Sequence, residues 1–223
     1  MSFFRLMNVK LSTVFSLFFS CGILLAVLSA ADKAPEPPAF SFVNADDPAL
    51  ANLADYGSKT IEQIGALLIS ETARELATKE TALAVSVLHL KNLELPKPVA
   101  GKPTVTAIKF TSVLVRNPLN APDAADQAAL DKIQGELDND RPAPKLLVQK
   151  VEHPGAATEW RVYRPIAASQ SCLACHGDPE KFRPGVKEAL DRYYPNDKAT
   201  GYSAHEWRGF IRVSLTDPTV AAK

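Results

Sequence analysis

The chain has 223 residues, 46% of them hydrophobic and 22% charged, with 25 basic residues balanced by 25 acidic ones. That length suits one domain plus a targeting segment, and two full domains would be tight. A net charge near zero argues against a general nucleic-acid binder, and three cysteines are too few for a disulfide framework or a four-cysteine zinc site.

Arg5 and Lys10 are the only charges in the first 31 residues. They precede an apolar run from Leu11 to about Ala30, which ends in the small residues Ser29-Ala30-Ala31. Basic, apolar and small-residue parts in that order read as a secretory signal, residues 1–31, cleaved after Ala30 or Ala31. The run is long for a signal, so an uncleaved membrane anchor is the alternative. Cys21 lies inside the run, and Phe18-Phe19-Ser20 before it is a poor lipoprotein lead-in. Cleavage leaves 23 basic against 25 acidic residues. The folded part is expected outside the cytoplasmic membrane, in the periplasm.

Residues 32–45, with Pro35, Pro37 and Pro38, read as a Pro-rich linker, and residues 46–223 as a single domain. A helix is expected to start near Asp46 or Asp47, each able to cap it, and to be firm from Lys59. Ile61, Ile64, Leu68, Leu76, Leu83, Val87 and Leu90 recur at helical steps, which predicts one apolar stripe on one long helix. That helix packs a core or forms a homodimer. Pro96 and Pro98 end it, and His89 stands near its end on a flank of the stripe.

Alternation over 104–115 predicts an inner strand. The Asn, Pro and Asp residues of 116–123 make a turn, and Asp123 caps a short helix over 124–137. Segments 145–151 and 158–166, joined by a Pro154-Gly155 turn, read as a hairpin. Residues 208–215 form the last strand. Helices first and an antiparallel sheet after them indicate an α+β fold.

Directly after the hairpin comes Cys172-Leu173-Ala174-Cys175-His176, the C-x-x-C-H pattern of c-type haem attachment. Each thiol can form a thioether to a haem vinyl group, and the histidine can ligate the iron. The export signal and this motif support each other, because covalent haem attachment in bacteria is completed outside the cytoplasm. Other chemistries for the same residues are weaker. A redox dithiol needs its first cysteine at the start of a helix, and Gly177-Asp178-Pro179 continues one poorly. Zinc would need a fourth ligand. No G-x-S-x-G or H-E-x-x-H motif points to a hydrolase. Arg116 and Arg208 are candidates for pairing with haem propionates, against a plain surface or turn role.

Several segments together resemble the PAS-like c-type haem domain family, whose prototype is a cyanobacterial cytochrome. They are Arg116-Asn117-Pro118 with Asn120 and Pro122-Asp123; Tyr163 to Ile166; Cys172 to Gly177; Tyr194-Pro195 with Asp197, Ala199 and Gly201-Tyr202; and Trp207 to Val213. The resemblance implies a helical N-terminal part on a five-stranded antiparallel PAS-like sheet carrying one covalent haem c. It implies Cys172 and Cys175 for attachment and His176 as an iron ligand. In the prototype a cysteine at the end of the long helix is the second axial ligand. That position aligns with Leu88, next to His89, so His89 is the expected sixth ligand, with His205, His153 or an open site as alternatives. Both methionines, Met1 and Met7, lie in the export segment, which removes Met/His coordination from a cleaved protein.

The function expected is that of an exported, non-enzymatic mono-haem protein in electron transfer or another redox role, working with a redox partner protein. The alternative is a haem-based redox or diatomic-gas sensor acting through a partner. Membrane contact follows only if the N-terminal segment is uncleaved.

Overall fold

A computed structural model describes residues 37–88 and 94–217. The export segment and His89 lie outside the described residues. The first regular element falls where a linker was expected. Strand β1, Ala39–Val43, pairs antiparallel with the strand β3, Leu147–Glu152, from Ala39 opposite Glu152 to Val43 opposite Val148. The run of prolines ends at Pro38, and the five residues after it alternate Phe40 and Phe42 with smaller ones. Phe42 packs on one side of the sheet and Val43 on the other. The folded part therefore begins before residue 46.

Asp47 caps a 3-10 turn, Pro48–Leu50, by accepting from the Ala49 N–H at 2.8 Å. Helix α1, Ala51–Thr78, follows and buries Leu53, Ala54, Ile61 and Ile64. It lies close to the sheet. A Cβ on Gly57 would stand 2.6 Å from Val162 Cγ2, nearer than carbon atoms can approach. The expected single helix to Leu90 is in fact two. Lys79 takes extended backbone, φ −134° and ψ 159°, and helix α2 begins afresh at Thr81 and runs to Leu88. No glycine or proline marks the break. An extended residue resets the 100° helical phase, so the expected stripe does not carry over. Leu83 is 54% exposed, while Ala84 and Val85 are buried.

The remaining strands are β2 (Thr104–Thr111), β4 (Glu159–Ala167) and β5 (Trp207–Thr216). With β1 and β3 they form one five-stranded antiparallel sheet in the order β1-β3-β4-β5-β2. Strand β2 stops at Thr111, short of the expected Val115. Helix α3 spans Ala124–Leu137, closed at its start by a reciprocal Asp123–Asp126 capping box. The fold is α+β with a long N-terminal helix.

Side chains alternate across the strands. Val162, Ile211, Val213 and Leu215 join Leu53, Ile61 and Ile64 of α1 in the larger core. Tyr163 and Phe210 point the other way, to Leu130 and Ile133 of α3. That second face is also polar beneath α3. Arg161 and Arg212 meet the fully buried Asp126 at 3.3 and 3.0 Å, and Lys109 meets it at 2.8 Å. A third cluster joins Val85 of α2 to Val186 and Leu190 of helix α5, Val186–Tyr193, an element not expected from the sequence.

Candidate functional site

Strand β4 leads through Ala168 into a 3-10 turn, Gln170–Cys172, and the single helical turn α4, Leu173–His176. Three- and four-residue steps bring side chains together on one helical face. The pattern C-x-x-C-H therefore places Cys172, Cys175 and His176 together, and all three line one cavity of about 380 Å³. Gly177 ends the turn. Its N–H donates to the Leu173 carbonyl at 3.0 Å, and a Cβ there would lie 2.7 Å from that oxygen.

His176 is held from behind. Its Nδ1 lies 2.7 Å from the Ala199 carbonyl oxygen. A carbonyl only accepts, so Nδ1 carries the proton and Nε2 presents its lone pair. Burial, followed by the positive charges of Arg116 and Arg208, holds the imidazole pKa down at about 3. The ring is thus neutral at any physiological pH, as a metal ligand must be. Tyr202 stacks edge-on against it, with ring centroids 6.4 Å apart. The Tyr202 N–H donates to the His176 carbonyl at 2.9 Å, and the Gly201 N–H to that of Gly177 at 2.8 Å.

Arg116 ties the segments together. Its Nε donates to Asp197 Oδ2 at 2.9 Å, and its Nη2 to the carbonyls of Cys175 at 2.5 Å and Ala199 at 3.2 Å. Asp197 in turn accepts from the Ala199 N–H at 2.8 Å. One guanidinium thus connects the turn after β2, the cysteine motif and the loop that holds His176. The expectation that Arg116 serves either the surface or a propionate misses this role. Its charge is taken by Asp197 and its hydrogen bonds by the backbone. The signal was present as three separate motifs, but a sequence does not show that they meet.

The other walls are largely apolar. Leu68 and Leu76 come from α1, Val85 and Leu88 from α2, Phe110 from β2 and Leu190 from α5. Leu68 and Phe110 also pack on the larger core, so the cavity continues that core outward under α1. Arg208 of β5 adds a second guanidinium.

The alternative iron ligands sit elsewhere. His205 lines a different cavity with Trp207 and Leu137, and His153 places Nε2 2.8 Å from Glu159. Neither is among the residues lining the cavity of His176. Leu88 does line it, and His89 follows directly. Burial raises the Cys175 pKa, the opposite of what thiolate exchange needs. Among the described residues, no group of three His, Cys, Asp or Glu side chains converges as a metal site.

A c-type haem fits these residues. Two thiols on one turn, a neutral imidazole with its outward nitrogen available, apolar walls and a guanidinium match the vinyl groups, iron, macrocycle and carboxylates of that group. When bound, it would supply reversible one-electron chemistry at the iron. The chain's own residues would hold the ligand nitrogen in one tautomer and keep water from the macrocycle faces.

The family described as Tll0287-like matches residues 52–216 of this chain. Among solved structures, that of the cyanobacterial heme-protein Tll0287 is similar, with 17% identity over 70% of this chain and 96% of that one and a TM-score of 0.38. No curated protein matches the sequence.

Proposed function

The chain belongs to the Tll0287-like family, and from that premise we propose that it is an exported, non-enzymatic mono-haem c protein of the periplasm that transfers electrons with a partner protein. The observation that carries this reading is the setting of His176. Its proton is fixed on Nδ1 by the Ala199 carbonyl at 2.7 Å, and its half-buried ring lines an apolar cavity beside two cysteines. Such backing of a ligand histidine is the usual way a metal site fixes tautomer and orientation. Tll0287, for which the family is named, is itself a heme-protein.

In this reading Cys172 and Cys175 carry the two thioethers and His176 is one axial ligand. His89, the residue after Leu88 in the chain, is the other. The segment of residues 1–31 directs export, which brings the chain to the compartment where attachment is completed. A bis-histidine iron would lie lower in potential than one with a methionine ligand.

The test is a pyridine haemochrome spectrum of the full-length protein made in a host that matures c-type cytochromes. A c-type signal of one haem per chain is expected, shifted in Cys172→Ser and Cys175→Ser and lost in the double variant. Absence of the signal in the wild type overturns the reading. In the same preparation, a low-spin spectrum that becomes high-spin in His89→Ala identifies the second ligand. A wild type that is high-spin and binds CO readily on reduction favours sensing instead.

A further inference from the structure

The cavity holds two guanidinium groups in opposite circumstances. Arg116 has Asp197 as its counter-charge. Arg208 does not. Its Nη1 donates to Ser112 Oγ at 2.5 Å and lies 3.4 Å from both the Leu114 carbonyl and the Tyr202 hydroxyl. Its guanidinium carbon stands 4.9 Å from the centre of the Tyr202 ring. All of these partners are neutral. Among the described residues, Arg208 has no carboxylate within salt-bridge distance, and its Nε and Nη2 make no hydrogen bond.

The buried guanidiniums of Arg161 and Arg212 are treated differently. Arg161 meets Asp123 and Glu159 at 2.7 and 2.8 Å, and Arg212 meets Asp126 at 3.0 Å. Arg208 is half-buried at the cavity wall and has only neutral partners, where elsewhere this fold supplies a carboxylate. At Arg208 burial pushes the guanidinium pKa down. The group also faces a cavity rather than a packed wall. It stands one ring away from His176, because Tyr202 contacts both.

We propose that Arg208, braced by Ser112, is a carboxylate-binding subsite of this cavity, and that it takes a propionate of the haem. The inference rests on the haem reading above. The counter-charge missing from the chain arrives with the ligand, and Nε and Nη2 are the donors left to receive it in the forked geometry that suits a carboxylate.

The test uses full-length, haem-loaded protein as wild type, Arg208→Gln and Arg208→Lys. The propionate bending bands of the resonance Raman spectrum report hydrogen bonding to the carboxylates. One band is expected to shift to lower frequency in R208Q and to return most of the way in R208K, with the spin state unchanged in both. A band that stays at the wild-type position in R208Q overturns the subsite and leaves the haem reading standing. A wild type with no haemochrome signal overturns both. If R208Q does not accumulate haem, the wild type decides. Its Arg208-paired band must hold steady as pH falls through the ordinary carboxylate range, around 4. If both propionate bands titrate there, the subsite is overturned.

Discussion

Arg116 shows how one side chain can set both the stability and the chemistry of the site. It is only 13% exposed and its partner Asp197 only 9%. Losing the cation leaves a buried carboxylate without a counter-charge, which typically costs about 3–5 kcal/mol. Arg116→Gln is therefore expected to lower the urea midpoint strongly. Arg116→Lys is expected to lose less, since an ammonium keeps the charge but not the fork. The Ala199 carbonyl makes the effect more than structural. It accepts from Arg116 at 3.2 Å and from His176 Nδ1 at 2.7 Å. Without Arg116 that oxygen is a stronger acceptor for the imidazole proton, and the ligand becomes more electron-donating. The haem-loaded Arg116→Gln protein is then expected to have a more negative midpoint potential than the wild type. An unchanged potential in a folded variant would leave Arg116 as a brace alone.

At the scale of elements, local signals were legible and tertiary ones were not. Helix α3 and the hairpin strands lie where capping residue, alternation and Pro154-Gly155 put them, because each signal acts over a few residues. Gly155 has a φ of 74°, as its turn demands. The break between α1 and α2 left no such mark. Thr78, Lys79, Glu80 and Thr81 are compatible with helix, and only the packing of α2 on α5 favours ending it. Strand β1 was hidden for a similar reason, since its pairing partner is more than a hundred residues away. In the site, C-x-x-C-H was readable because its chemistry is contained in five residues. The frame of Arg116, Asp197 and Ala199 was not, because it is made only when the turn after β2 meets the loop that holds His176. Gly57 tests how tightly these elements are fixed. With Val162 Cγ2 2.6 Å from the position of a new Cβ, Gly57→Ala must push α1 off the sheet. Overpacking of this kind costs roughly 1–3 kcal/mol, outweighing the gain of up to ~1 kcal/mol from removing a helical glycine. Chemical denaturation is expected to show net destabilisation, and a stabilised variant would mean that α1 sits farther from the sheet than described.

For the molecule as a whole, the two sheet faces divide the work. The α1 face is apolar and opens outward into the cavity of His176. The α3 face is closed by a charge network that answers itself, with Arg161, Arg212 and Lys109 against Asp123, Asp126 and Glu159. That network makes stability depend on pH. Burial pushes the Glu159 pKa up, but hydrogen bonds from Arg161, Ser214 and His153 outweigh it and hold the carboxyl at about 2. Asp123 is likewise held at about 2, its burial outweighed chiefly by Arg161. In the unfolded chain both carboxyls titrate near 4. Because the folded values are depressed, the stabilisation is complete above the unfolded values and is lost as pH falls from about 4 towards 2. For Glu159, only 15% exposed, the loss is on the order of 2 kcal/mol after solvent screening. Wild-type protein is expected to keep a nearly constant urea midpoint from pH 7 to about 5 and to lose stability steeply below 4. Glu159→Gln should be less stable at pH 7 yet show a shallower fall between pH 4 and 2, since one of the titrating groups is gone. Parallel acid limbs for the two proteins would show that the α3 network does not set the acid limit, and would place that limit elsewhere in the fold.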